Sequence, residues 1–470
     1  MKKIMLMLLI ILVSIAMVAT FSLTGCKEET AETTEAAETT AVAEETTAAE
    51  TTSGEPIKLT VWWWGEQDEP GIEEFINESV DIYQQQNPNV TIELVLQSTD
   101  ALISAFQTAA QSRSGPDIQF FWAGYLTMMN VFNGYLAPVS DYWSEEDLAT
   151  LSYPEEVTYQ GKVWAISFYN TIAPLIYNKE IFTQAGLDPN TPPEDWSAFL
   201  DACDKIKEAG FIPLGFGNKA ETANHTQWVE GPFGGQNLDG LKDYLNVSVG
   251  AGGADYKDEK YSEWWYKLEE LYQSGYINDD INSLGLNEAM EDLFATGRAA
   301  MTIAPGGLIR NFNEILNNNV GIMKVPVFGT GKAAGKANVW RKNWGITDWC
   351  QNKQEAADFL KWLASAERAE AFYLACGAFP GTKNFDASII KDDVGNALYE
   401  ALNYSFDGVT NVFIPNFVDQ EGMWVASQKL FSGEYTAEQA VNYVADTFVR
   451  WREEDPEGLS QFQSWAEGMK

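Results

Sequence analysis

The chain has little histidine and little cysteine: His225 is the only histidine in 470 residues, and there are four cysteines. A Ser-His-Asp or Cys-His enzyme would have to use His225, and nothing around it resembles a nucleophile elbow or a glycine-rich phosphate loop. Cys203, Cys350 and Cys376 lack the CxxC or Cys/His spacing of metal and redox sites. We expect these three to be small buried residues with at least one free thiol, and the sequence predicts no metal, no cofactor and no enzyme.

Positive charge is also scarce, because 30 Lys and Arg residues face 68 Asp and Glu residues, a formal net charge of −38. Such a field repels phosphate backbones, anionic lipid headgroups and acidic substrates. We therefore expect no nucleic-acid partner. The acids are not spaced as in an EF-hand loop, so whether a structural Ca²⁺ binds is left open.

The first 56 residues predict where the protein is located. Lys2 and Lys3 precede an apolar run over residues 4–21, and LTGC at 23–26 follows. This pattern resembles a bacterial lipobox, which implies export and a diacylglycerol on Cys26; an uncleaved membrane-spanning helix is the alternative. Residues 27–56 are almost wholly Glu, Thr and Ala and predict a disordered tether. We expect a cell-membrane protein, lipid-anchored on the extracytoplasmic face, with residues 1–26 as signal peptide and lipobox.

The body of the chain alternates strand-like and helix-like segments, which favours an α/β fold. We predict strands at 59–64, 90–96 and 117–121 and helices at 71–86 and 101–112, as two βα units that feed a mostly parallel sheet. Ligands bind beyond the carboxyl ends of such strands. Trp63, Trp64, Glu66 and Trp122 lie there. The three consecutive indoles at 62–64 cannot all face the core of a pleated strand, so at least one needs another partner.

Several short motifs follow one another along the chain in the same order as in a known protein family. In chain order they are GPDI at 115–118, YNK at 177–179, AG at 185–186, PPEDW at 192–196, LFATGRAAMTI at 293–303, NWGIT at 343–347 and FPGT at 379–382. This set resembles the family 1 extracellular solute-binding proteins of carbohydrate ABC importers, the group that includes maltose-binding protein. The resemblance implies a periplasmic-binding-protein-like fold with a hinge and an interlobe cleft, the lobes being 57–172 plus 302–345 and 173–301 plus 346–470. It also implies ABC permease subunits as partners, and we expect a monomer.

A sugar site needs flat aromatic faces for the C–H faces of the ring and fixed hydrogen-bond partners for the hydroxyls. By resemblance, Trp122 and Trp424 match stacking residues of the two lobes, and Trp228 falls in a loop-to-helix region that lines the sugar. Tyr169 and Asn170 end the first crossover strand. The full set of predicted contacts is Trp63, Trp64, Glu66, Trp122, Tyr169, Asn170, Trp228, Asn343, Trp344, Glu421 and Trp424. The alternative for each indole is packing, and for Glu66 and Glu421 an exposed surface position.

The sequence departs from the family at 304–308, APGGL, where an indole is commonly found. We expect the 62–64 stretch to supply the missing face, chiefly through Trp64. The predicted ligand is a neutral sugar, an oligosaccharide rather than a monosaccharide. A glycoside hydrolase, or a protein that presents sugar to a membrane sensor kinase, is the alternative function.

Overall fold

The computed structural model describes residues 55–66, 68–219, 224–405 and 411–469, which belong to one compact unit. Cys26 and the tether up to residue 54 lie outside the described residues. The strands are β1 Ile57–Trp63, β2 Val90–Leu96, β3 Ile118–Phe121, β4 Leu136–Ala137, β5 Thr158–Tyr159, β6 Lys162–Val163, β7 Ile166–Ala173, β8 Leu175–Asn178, β9 Ile212–Leu214, β10 Ala299–Ile303, β11 Val320–Met323, β12 Asn338–Thr347 and β13 Phe379–Pro380.

The helices have their apolar residues at helical spacing and pack them against the sheets or against each other. Their bounds are Ile72–Gln86, Thr99–Gln111, Tyr125–Phe132, Glu145–Ala149, Lys179–Gln184, Trp196–Glu208, His225–Val229, Leu241–Val249, Glu259–Gln273, Leu286–Ala289, Gly306–Ile315, Lys353–Leu363, Ala366–Cys376, Asp393–Ser405, Asn416–Val418, Val425–Phe431, Ala437–Glu454 and Pro456–Gly468. Within the described part of the chain, none of these helices combines the length and the apolar character that a membrane span requires.

The first five elements confirm the predicted strand and helix order to within two residues at each boundary. The helix Ile72–Gln86 buries Ile72, Phe75 and Ile76 on its inner face, and its C-cap Asn87 directly precedes Pro88. A proline disfavours helical backbone at the residue before it, which explains this end.

The larger sheet has seven strands in the order β13-β7-β12-β3-β1-β2, with β4 paired to β12. Only β1 pairs in parallel, with β2 and with β3. The pairs that involve β12, β7, β13 and β4 are antiparallel. The prediction of a mostly parallel sheet is therefore wrong beyond the first three strands. The cause is a long two-stranded ribbon formed by β7 and β12. The strand β12 pairs with β3 and runs antiparallel to it, so the strand direction changes at this point in the sheet.

A second sheet has four strands in the order β11-β8-β10-β9. The chain leaves the larger sheet at the end of β7 and enters the smaller one at β8, with only residue 174 between. We call the halves of the fold built on these sheets the large-sheet lobe and the small-sheet lobe. The fold is α/β with two lobes, as the sequence predicts.

The two sheets divide the chain at points that differ from the predicted lobe boundaries. The strand β11 lies in the smaller sheet, although 302–345 is predicted for the first lobe. The helices Lys353–Leu363 and Ala366–Cys376 bury Leu360 and Phe372 against the core of the larger sheet, although 346–470 is predicted for the second lobe. Long-range strand pairing decides these positions, and short motifs do not carry that information.

The three cysteines of the described residues confirm the prediction of small buried side chains. Cys203, Cys350 and Cys376 are buried and form no disulfide. Burial raises the pKa of each thiol. Their side chains contribute to packing in the core.

Candidate functional site

A cavity of about 530 Å³ lies between the two lobes. Loops that follow β1 and β3 line it from the large-sheet lobe, and the helix His225–Val229 with the segment 412–424 lines it from the other side. The ribbon of β7 and β12 contributes Thr171, Trp340 and Lys342 to the lining. The volume is within the range of small-molecule sites, about 300 to 1,000 Å³.

The large-sheet wall carries two indoles at right angles to each other. Trp64 follows β1 directly, and its Nε1 donates a hydrogen bond of 3.0 Å to Thr99 Oγ1. Trp122 follows β3, with its ring centroid 5.3 Å from that of Trp64 and an interplanar angle of 82°. The Nε1 of Trp122 has no hydrogen-bond partner in the protein. The parallel pairing of β1 and β3 explains the proximity, because it brings the carboxyl ends of both strands to one edge.

The opposite wall contributes Trp228 and Trp424. Trp228 lies on the helix His225–Val229, which begins at Asn224, whose side chain accepts a hydrogen bond from the Gln227 backbone. Trp424 ends a π-helical turn at Asp419–Trp424, and its indole interacts with the Asp419 side chain that begins the same turn. Such turns are rare and often occur at functional sites.

A fifth indole comes from the ribbon. Trp340 lies on β12 with its ring centroid 5.2 Å from that of Trp228. Because alternate residues of a strand face the same side, Lys342 also reaches the cavity. Its Nζ lies 3.3 Å from Asp68 Oδ2 and 5.6 Å from the Trp64 ring centroid. The only lysine among the described lining residues is therefore paired with a carboxylate.

Two further acids line the cavity. Glu288 accepts a hydrogen bond of 2.8 Å from the backbone N–H of Gly285. Asp419 is buried, and its Oδ2 accepts a hydrogen bond of 2.9 Å from Gln227 Nε2. Burial raises the pKa of Asp419 to about 7, while Gln227 and the Trp424 indole act in the opposite direction.

Of the eleven residues predicted to contact ligand, four line the cavity: Trp64, Trp122, Trp228 and Trp424. The other seven lie outside its walls. Trp63 is 3% exposed in the core of the larger sheet, since it faces the opposite side of β1 from Trp62. Glu66 accepts hydrogen bonds from the backbone N–H groups of Gly71 and Glu73, so it caps the helix Ile72–Gln86. Glu421 is exposed to solvent.

The remaining four of the seven lie on the ribbon of β7 and β12, which is buried over its whole length. Tyr169 and Trp344 pack among aromatic rings of the core. Asn170 Nδ2 donates to the Pro380 carbonyl, and Asn343 Nδ2 donates to Thr127 Oγ1. These amides hold strands and loops together.

Sequence reasoning missed several lining residues, notably Asp68, Gln227, Trp340, Lys342 and Asp419. Two signals were available. Trp340 and Lys342 lie three residues and one residue before Asn343 on the same strand, and Asp419 begins the same turn that Trp424 ends. The strand and the turn each carry a predicted residue beside the missed ones.

The single histidine, His225, is buried and hydrogen-bonded to the backbone. His225 Nδ1 accepts a hydrogen bond from the Gly217 backbone, its Nε2 faces the Ile303 carbonyl at 3.2 Å, and its ring stacks on Phe216. Burial lowers the pKa of His225 to about 4. Within the described residues there is no cluster of three or more His, Cys, Asp or Glu side chains able to hold a metal ion.

Comparisons with known proteins agree with this architecture. The family model described as "Bacterial extracellular solute-binding protein" matches residues 78–397. The sn-glycerol-3-phosphate-binding periplasmic protein UgpB of Shigella dysenteriae serotype 1 is 27% identical over 312 residues, which cover 61% of this chain and 65% of the relative. UgpB of Escherichia coli (strain K12) matches over the same shares of both chains. The match thus spans just under two thirds of the length of these curated relatives.

Solved structures resemble the chain over a larger share of its length. A chitin oligosaccharide binding protein superposes with a TM-score of 0.70 at 18% identity, over 84% of this chain and 99% of that chain. The GacH receptor of Streptomyces glaucescens superposes with a TM-score of 0.68 at 19% identity, over 85% of this chain and 98% of that chain. At these identities the likeness shows the fold. Because the family model matches more than half of the chain, the chain belongs to the bacterial extracellular solute-binding proteins.

Proposed function

We propose that the protein captures a neutral sugar, an oligosaccharide, in the cavity between its lobes and delivers it to an ABC permease. The observation that carries this proposal is the set of five indoles around one cavity: Trp64, Trp122, Trp228, Trp340 and Trp424. A pyranose ring has two apolar faces, so five indoles exceed what a single ring can use. Aromatic faces combined with a few fixed polar groups are the chemistry that binds sugars.

The polar groups of the cavity support a neutral ligand. The indole N–H group of Trp122 lacks a partner in the protein and is available to a sugar hydroxyl. A buried donor left unpaired costs about 1 to 3 kcal/mol, so a hydroxyl that accepts from it gains affinity. Lys342, which could attract an anion, is paired with Asp68.

The location is part of the same proposal. Membership of an extracellular family favours an extracytoplasmic position, and the sequence pattern at 23–26 supports a lipid anchor at Cys26. Capture would proceed through closure of the two lobes around the ribbon of β7 and β12. The protein would act as a monomer that hands its ligand to the permease.

The test is a titration of residues 55–470 followed by intrinsic tryptophan fluorescence and isothermal calorimetry. The panel contains neutral mono- and oligosaccharides of different linkage, together with sn-glycerol 3-phosphate. We expect saturation by one linkage family at micromolar concentration, about −8 kcal/mol. Saturation by sn-glycerol 3-phosphate alone would contradict the proposal.

The hydrolase alternative is tested on the same samples. The sugar that saturates the protein is incubated with it and then separated by chromatography. We expect the sugar to be recovered intact, because a binder of this kind releases its ligand unchanged. Cleavage products that increase with protein concentration would identify an enzyme.

A further inference from the structure

Two buried acidic residues of the small-sheet lobe, Glu230 and Asp419, lie close enough for the charge of Asp419 to act on Glu230. Glu230 begins the π-helical turn Glu230–Gly234, and Asp419 begins the turn Asp419–Trp424. Glu230 is 1% exposed and Asp419 is 7% exposed. Both oxygens of Glu230 and the Oδ1 of Asp419 have no hydrogen-bond partner in the protein. Of the two residues, Asp419 lines the cavity.

Among the described residues, the groups that interact with this pair are phenol, amide and indole groups, and none of them is a cation. The charge of Asp419 acts on Glu230, and the neighbouring groups that interact with Glu230 are Tyr244 and Tyr256. Gln227 and the Trp424 indole are the side chains that interact with Asp419. The hydroxyl of Tyr256 accepts from the indoles of Trp264 and Trp265, so that side of the pair is neutral as well.

Burial in this setting disfavours charge on both carboxyl groups. The pKa of Glu230 is raised well above its usual range by burial and by the charge of Asp419, and that of Asp419 is raised to about 7. Above about pH 7 Asp419 therefore carries a negative charge, and this charge disfavours ionisation of Glu230. The charge faces the cavity from Asp419, and the second carboxyl group behind it offers no compensating positive charge.

The rest of the cavity does not offset this charge. Lys342 is paired with Asp68, and Glu288 adds a further carboxylate that is held by the Gly285 backbone. A phosphate or carboxylate group on a ligand would meet an uncompensated negative charge in a site of low dielectric, where repulsion is strong.

We propose that Asp419, supported from behind by Glu230, determines the charge specificity of the cavity by excluding solutes that carry phosphate or carboxylate groups. This inference rests on the proposed function and deepens it, because it names the residue that selects neutral over anionic solutes. It also separates this chain from the UgpB relatives, which are named for an anionic ligand.

The experiment compares wild type, Asp419→Asn and Glu421→Gln, all as residues 55–470, by calorimetry. Asparagine keeps an oxygen that can accept from Gln227, and its variant is first checked by circular dichroism. Glu421 is the matched control, because it lies on the same turn but is exposed and outside the cavity. Its variant removes one negative charge, as Asp419→Asn does. The probes are glucose, galactose and the neutral sugars of the panel, with glucuronate, galacturonate and sn-glycerol 3-phosphate as the anions.

At about pH 8 we expect wild type and Glu421→Gln to bind anions at least about tenfold more weakly than their neutral counterparts. Asp419→Asn should reduce this ratio by about tenfold. Lowering the pH to about 5.5 should reduce the ratio in wild type and in Glu421→Gln but not in Asp419→Asn, since Asp419 then takes up a proton while a uronate, with a pKa of about 3.5, stays charged. An unchanged ratio in Asp419→Asn, or one that is independent of pH in wild type, would overturn the proposal.

Failure of the proposed function would look different. If no neutral sugar binds, the sugar assignment fails, and the charge inference is then decided by sn-glycerol 3-phosphate alone. Tighter binding of this anion by Asp419→Asn than by wild type and Glu421→Gln would support it, and no gain would refute it. If Asp419→Asn does not fold, the charge inference is decided by whether the binding of anions relative to neutral sugars depends on pH in the wild type.

Discussion

The carboxylate of Glu69 packs directly against Gly307, so closely that a β-carbon on Gly307 would lie 2.0 Å from Glu69 Oε2. Glu69 follows β1 in the large-sheet lobe, and Gly307 lies in the first turn of the helix Gly306–Ile315, which follows β10 in the small-sheet lobe. The contact thus joins the two lobes beside Thr171, whose hydroxyl donates to Glu69 Oε1 at 3.3 Å. A side chain at Gly307 would therefore displace Glu69.

Gly307→Ala should destabilise the protein by about 1 to 3 kcal/mol, the cost of forcing extra atoms into a packed site. The neighbouring Gly306→Ala is the control. Its β-carbon would meet Ile172 Cγ2 at 3.5 Å, which is ordinary van der Waals contact, so no loss is expected there. Urea unfolding of both variants measures the difference, and equal stabilities would show that Glu69 moves aside without cost.

Glu69 should make stability depend on pH. Burial and the charge of Asp68 raise the pKa of Glu69 to about 8, well above 4.5, so the folded state holds a proton that the unfolded state has lost. The free energy of unfolding of wild type should therefore fall, relative to Glu69→Gln, as the pH rises from about 4.5 to about 8, by on the order of 4 kcal/mol. Urea unfolding at both ends of this range tests it. A constant difference between the two proteins would contradict the raised pKa.

His225 should show the opposite trend. Its pKa is lowered to about 4 in the folded protein, so between about pH 6.5 and 4 the unfolded state binds a proton that the folded state does not. Stability relative to His225→Gln should then be complete above about pH 6.5 and fall towards pH 4. Because the chain has no other histidine, one imidazole resonance reports the titration by NMR. A midpoint near 6.5 in the folded protein would rule out the buried neutral ring.

Trp64 is the indole of the triple run that reaches the cavity. Trp64→Ala should weaken binding of the saturating sugar by about 1 to 3 kcal/mol, through lost apolar contact and stacking. Trp362→Ala is the control, because Trp362 packs against Phe359 and Tyr83 and lies outside the cavity lining. Unchanged affinity with a lowered melting temperature in Trp64→Ala would assign this indole to the core instead.

Local patterns predicted the first three strands and two helices, because helical and strand periodicity depends only on residues that are close in the sequence. They also led to Trp64 and Trp122, since strand ends meet at one edge of a sheet. Local patterns failed at Tyr169, Asn170, Asn343 and Trp344, because the pairing of β7 with β12 joins residues about 170 positions apart and buries both faces. The same pairing explains why Lys342 was missed, and Asp419 depends on a turn that periodicity does not distinguish from ordinary helix.

The buried thiols have a practical consequence for measuring lobe closure. Residues 55–470 contain three cysteines, all buried and with raised pKa values, so a thiol-reactive dye should leave them unmodified while the protein is folded. A cysteine introduced at one exposed position on each lobe could then carry a fluorophore without removal of any native residue. Energy transfer between the two dyes would report the distance between the lobes directly, with and without sugar, in the wild-type background.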